Sequence, residues 1–161
     1  MFDFRPDHAQ DKPALYADLL AAADALTTGE CDPVANMANV SALLAEYLPT
    51  LNWAGFYRMI GPELVLGPFM GRPACIRIAL GTGVCGTAAA ERRTQLVADV
   101  HAFPGHIACD AASRSELVVP VVHEERLLAV IDLDSPEPAR FDDEDARGIE
   151  ALAALLAPRI A

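Results

Sequence analysis

The sequence predicts an α+β domain in which helices pack on a central, mostly antiparallel β-sheet. Three observations predict it. Apolar residues recur every three or four positions near both ends of the chain, as on the buried face of a helix. In the middle the apolar period falls to two, as in half-buried strands. Two strong strand segments, residues 116–122 and 126–134, are joined by a connection so tight that they read as an antiparallel hairpin.

Residues 13–28 read as a helix with Leu15, Leu19, Ala22 and Leu26 on one face, stopped at Gly29. A second helix begins at Asp32, a capping side chain, with Pro33 suited to its first turn. Pro49 ends it. Residues 52–60 alternate as a strand, with Trp53, Gly55, Tyr57 and Met59 on one face. The turn Gly61-Pro62 leads to a second strand at 63–66, and 74–78 is a third candidate. The Ala-rich run 83–92 predicts a short helix, and 95–98 a brief strand. Residues 100–115 show no clean period and read as a loop of functional length. In the hairpin, Pro120 cannot donate to a ladder, so its strand should be bulged or partly an edge. Asp142, Asp143, Glu144 and Asp145 open a last helix, where acids complement the helix dipole. Ile149, Leu152, Leu155 and Leu156 form its buried face.

The 161 residues fit one domain. A chain of this size buries roughly 70% of its unfolded surface, and 53% hydrophobic residues supply a core. With 12 basic against 23 acidic residues and a net charge of −11, nucleic acid and anionic membrane are excluded as partners. No apolar run is long enough to span a membrane, and the N-terminus has no secretory pattern, so a cytoplasmic location is expected.

In that compartment the four cysteines, Cys31, Cys75, Cys85 and Cys109, read as spectators, metal ligands or redox groups rather than structural disulfides. Cys109 follows Pro104, Gly105 and His106 late in the long loop. A reactive thiol needs a lowered pKa, and His106, His101 and Arg114 are the cationic candidates near it. Cys85 sits at a helix N-terminus, which favours an anion, but it also suits plain packing among small residues. Cys75 suits a strand interior, and Cys31 a spectator. The intervals C-x9-C and H-x2-C match no standard zinc pattern, so no metal is expected.

Acidic residues carry a second signal. Asp132 and Asp134 project from one face of a strand otherwise built of Leu, Val and Ile. If the hairpin connection His123-Glu124-Glu125 counts as an odd number of residues, Glu116 joins them on that face. Three clustered carboxylates would bind a cation or hold a shared proton. Trp53 and Tyr57 share a strand face and could wall a small pocket, or simply fill core.

The runs NWAGFY (52–57), LVLGPFMGRPACIRI (64–78), GTGVCGTAAAERRTQLVADVHAFPGHIACD (81–110), SELVVPVV (115–122) and IDLDSPEPARFDDED (131–145) resemble the GAF-domain free methionine-(R)-sulfoxide reductases. The likeness spans residues 32–158 and includes the C-x9-C-x23-C spacing of that family. It implies a GAF-like fold over residues 1–161 and reduction of free L-methionine (R)-sulfoxide without a cofactor. By this resemblance Cys109 matches the nucleophile, Cys75 the resolving thiol and Cys85 an auxiliary thiol. Trp53 and Tyr57 match pocket aromatics, and Glu116, Asp132 and Asp134 match acids around the substrate's ammonium and sulfoxide. It further implies a Cys109 sulfenic acid, a Cys75–Cys109 disulfide, recycling by thioredoxin, and homodimers. The alternative is a GAF module that senses a small molecule or redox state without turnover.

Overall fold

The computed structural model describes residues 4–105 and 111–161. Two helices come first. Asp11 caps α1 (Lys12–Thr27) by accepting from the Ala14 N–H, and Asp32 caps α2 (Pro33–Tyr47) by accepting from Val34 and Ala35. Both helices carry proline in the first turn, where its missing N–H costs nothing. The strands follow as β1 (Trp53–Ile60), β2 (Glu63–Gly71) and β3 (Arg77–Ala79). After helix α3 (Gly83–Glu91) come β4 (Gln95–Val97), β5 (Ser115–His123) and β6 (Arg126–Ser135). Helix α4 (Asp143–Leu156) opens on a capping box in which Asp142 and Asp145 satisfy each other's backbone N–H groups.

The six strands form one sheet of order β3-β2-β1-β6-β5-β4, and every pairing is antiparallel. Helices cover both faces. On one, Phe56, Leu117, Val119, Val121, Ile131 and Leu133 join α1, α2 and α4 in the main core. On the other, Trp53, Tyr57, Val118 and Val130 meet α3 through Val84, Cys85, Ala88 and Ala89. The larger core anchors the sheet, and the smaller one holds polar groups at its margin.

Two element boundaries differ from expectation. β2 continues past Leu66 through Gly67 and Pro68 to Gly71. The third strand shrinks to Arg77–Ala79, because only three β3 residues find partners on β2. Pro120 lies beyond the end of β4, whose pairing stops at Gln95 opposite Val118. That side of β5 is therefore an edge, as proline requires.

The β5–β6 hairpin needs a larger correction. Its connection is two residues, not three: His123 pairs with Arg126 across Glu124 and Glu125. Both turn residues have positive φ, 47° and 62°, the backbone of a turn matched to strand twist. An even turn alone would set Glu116 opposite Leu133. The register shifts instead, because Val122 pairs with Leu127 but Val121 pairs with Ala129, leaving Leu128 as an extra residue. This β-bulge inverts the parity of everything beyond it. Glu116 consequently faces Asp134, and Val118 faces Asp132. Leu127 packs on the face opposite Ala129, Ile131 and Leu133 for the same reason, although strict alternation along β6 would place all four together.

Helix α3 is held against the sheet edge at a glycine. A Cβ on Gly86 would stand 2.4 Å from the Ala79 carbonyl oxygen, an atom fixed in backbone. Gly86→Ala gains about 1 kcal/mol of helix propensity but forces α3 off β3, an overpacking cost of about 1–3 kcal/mol. Urea unfolding should therefore show a net loss of stability. A stabilised variant would mean that α3 moves freely against the sheet.

Candidate active site

The pocket lies between the outer face of β1 and β6 and the first turn of α3. It is a small cleft that opens to solvent. Strand register builds its floor in rows. In one row Trp53, Asp134 and Glu116 lie side by side on β1, β6 and β5. In the next, Gly55, Asp132 and Val118 do so. Gly55 has no room for a side chain, since its Cβ would meet the Phe69 Cβ at 2.4 Å. That close approach lets Phe69 stack on Trp53, with ring centroids 5.2 Å apart, while Tyr57 stacks on the indole at 5.8 Å.

Among the predicted residues, Trp53, Tyr57, Cys85, Glu116, Asp132 and Asp134 all line this one cleft. Glu116 and Asp132 are each only 6% exposed. The Cys85 thiol donates to Glu116 Oε1 at 3.9 Å. Burial comes first among the effects on these groups. Burial, then the Asp132 and Asp134 charges, drives the Glu116 carboxyl well above the carboxylate range. Burial also raises Asp132 to about 6, against hydrogen bonds from Cys85 and Glu116 that favour its ionised form. The two carboxyls titrate as a pair, and burial makes the pair retain a proton toward neutral pH. Asp132 Oδ1 is buried and has no hydrogen-bond partner among the described residues.

Cys85 is corrected by its surroundings. Its place in the first turn of α3 favours an anion, but burial and then Asp132 and Glu116 push its thiol well above the ordinary value. It stays a neutral donor. Burial likewise raises the Tyr57 phenol, with Asp132 adding to the effect. Cys75 lies half-buried between β2 and β3 and is engaged in a disulfide. Cys31 is a free, exposed thiol far from this chemistry by element, beside the α2 cap. His101 pairs its ring Nδ1 with Asp99 at 3.0 Å, on the surface, and Arg114 is exposed. Cys109 and His106 lie outside the described residues.

Residues 34–161 match the family model for the GAF domain. The chain is 51% identical over 146 residues to the free methionine-R-sulfoxide reductase of Escherichia coli, covering 91% of this chain and 88% of that protein. It is 42% identical over 154 residues to the enzyme of that name in Saccharomyces cerevisiae, covering 91% and 86%. The chain belongs to the free methionine-R-sulfoxide reductase family. Among solved structures it resembles the Neisseria meningitidis free methionine-R-sulfoxide reductase in complex with its substrate, with TM-score 0.94, 44% identity and coverage of 99% and 96%. The fold expected from sequence, a GAF fold with an antiparallel sheet, is therefore the fold of this reductase family.

Some pocket residues had no role assigned from sequence. Ser113 is buried at the rim and accepts from Asn52 Nδ2 at 3.0 Å. Thr82 precedes α3 without a side-chain cap bond. The first-turn N–H groups of Gly83, Val84 and Cys85 therefore lack the usual capping acceptor where they border the cleft. Nothing in the sequence signalled this, because Thr at an N-cap ordinarily supplies the capping oxygen.

Asp132→Asn should show the cost of the buried charge. An acid raised from about 3.9 to about 6 on folding binds more protons in the folded state, so its contribution falls as pH rises between those values. The variant should be more stable than wild type at pH 7, by an amount on the order of 1–3 kcal/mol. The difference should vanish near pH 4. Parallel stability curves for the two proteins from pH 4 to 7 would contradict the assignment.

Proposed function

We infer that the protein reduces free L-methionine (R)-sulfoxide to L-methionine. The observation that carries this reading is the proton-sharing pair Glu116 and Asp132, buried beside an aromatic wall in a family of that activity. A sulfoxide needs a proton donor at its oxygen, and a free amino acid needs a counter-charge for its ammonium. The pair offers one of each.

In the proposed cycle the Asp132 carboxylate, with its unpartnered Oδ1, receives the ammonium, and Asp134 adds to the same field. First-turn N–H groups of α3 suit the substrate carboxylate, because a helix N-terminus favours anions. Trp53 and Tyr57 flank the thioether chain. The Cys109 thiolate attacks the sulfoxide sulfur while Glu116 protonates the oxygen. Oxygen passes to Cys109 as a sulfenic acid, methionine leaves, and sulfur in the substrate is reduced by two electrons. The Cys75 thiol then attacks Cys109 and expels water, forming a disulfide. That Cys75 is already engaged in a disulfide supports the resolving role. An external dithiol, thioredoxin by family resemblance, returns both thiols and is itself oxidised. Such a cycle suits a reducing compartment, which is why we place the protein in the cytoplasm.

Selectivity for the free amino acid follows from the acids. A peptide-bound sulfoxide brings no ammonium, so a buried carboxylate would stay unpaired. Methionine release from the (R) epimer should be seen with dithiothreitol as reductant, and neither the (S) epimer nor an N-acetylated substrate should turn over comparably. Cys109→Ser should abolish release, and Glu116→Gln should lower kcat by about 10²-fold or more. Undiminished turnover in Cys109→Ser would overturn the nucleophile. Absence of turnover with wild type would leave a binding module. After one equivalent of substrate, peptide mapping should find Cys75 joined to Cys109, and a Cys85–Cys109 bond alone would reassign the resolving thiol.

A further inference from the structure

We propose that Cys85, Glu116 and Asp132 also form a site for a thiophilic divalent cation of the Zn2+ type, seated on the pocket floor. One donor atom from each lies within 4.8 Å of the others, and the thiol sulfur is 3.9 Å from Glu116 Oε1. Around tetrahedral zinc, with Zn–S about 2.3 Å and Zn–O about 2.1 Å, neighbouring donors stand roughly 3.4–3.6 Å apart. The donors stand only about 1 Å wider than that shell, a gap on the scale of side-chain adjustment. They come from α3, β5 and β6, whose positions the core and the bulge hold.

A second observation points to a cation independently. Asp132 is only 6% exposed, lines the cleft, and carries an oxygen without a hydrogen-bond partner among the described residues. A buried acceptor in that state lacks the partner that its loss of water calls for, and a bound cation supplies one. The thiol selects the metal class. Sulfur and carboxylate together suit Zn2+ or Co2+, whereas Mg2+ and Ca2+ require all-oxygen shells of six or more. Three protein ligands leave the fourth position facing the cleft, open to water. Binding displaces the protons that the thiol and one carboxyl hold, and two positive charges meet three negative ligands.

The ion takes the ground proposed for the substrate's ammonium, so it excludes substrate. That consequence rests on the function proposed above; the binding itself does not. Two thiols among the described residues are free, Cys85 and the exposed Cys31. The test therefore uses Cys31→Ser protein, oxidised so that Cys75 stays in its disulfide, titrated with Co2+. A thiolate-to-cobalt charge-transfer band and a rise in Tm are expected. Adding Cys85→Ser should remove the band. Adding Asp132→Asn, a change expected to leave the fold intact, should weaken Co2+ binding by about 100-fold or more, since even outer-shell changes cost 10–100-fold. A band of equal intensity without Cys85, no band with it, or full affinity without Asp132 would each overturn the site. Sulfoxide turnover by the metal-free protein is scored separately and reports only on the function.

Discussion

The side chains of a strand alternate between two faces, and the pocket exists because that alternation is interrupted once. Downstream of the β5–β6 turn the hairpin runs in a register that would bury Glu116 against the helices. Leu128 adds one residue to β6, and from there Glu116, Asp132 and Asp134 share the face that α3 covers. The cost of the opposite arrangement explains why the bulge persists. Leu117, Val119, Val121, Ile131 and Leu133 are each 2% exposed or less. Moving either strand by one residue would drive such residues toward the pocket and acids into hydrocarbon.

A pocket that buries two acids and a thiol must be held by something other than its own contents. Here the main core lies on the far face of the sheet, where three helices pack. α1 and α4 are clasped there by the Tyr16 hydroxyl, which donates to the buried Asp145 at 2.9 Å. The site face carries the smaller cluster. Burial raises the pKa of both acids, the Asp132 and Asp134 charges raise that of Glu116 further, and the fold absorbs that cost because most of the surrounding burial is apolar. The division suits catalysis: one face stabilises, and the other keeps a proton that water would remove.

The elements were legible where a single physical rule acts alone. The Asp32 cap, Pro33 after it, the acids that open the last helix and the 3.6 period are local signals, and the helices fall within a residue or two of expectation. The acid cluster was legible too, because carboxylates among Val, Ile and Leu on a strand resist explanation by packing. What was hidden depends on contacts between segments. Parity at Leu128 is a property of two paired strands and leaves no mark on either. The state of Cys85 is another such case: its helix position argues for a thiolate, and only the arrival of Glu116 and Asp132 from elsewhere in the chain reverses that. β3 is confined to the three residues that pair with Glu63, Leu64 and Val65 of β2, a limit that no propensity of residues 74–78 records.

Trp53 is the single tryptophan of the chain, and it stands where the pocket's parts meet. Its ring is stacked between Tyr57 and Phe69, and its Nε1–H donates to the Arg72 carbonyl at 3.2 Å. Arg72 is three residues from Cys75 along the loop that the disulfide engages. The indole is therefore tied at one edge to the segment that carries the disulfide and lies beside Asp134 in the strand register. Its emission is a built-in optical reporter of this pocket, with no other tryptophan to dilute the signal.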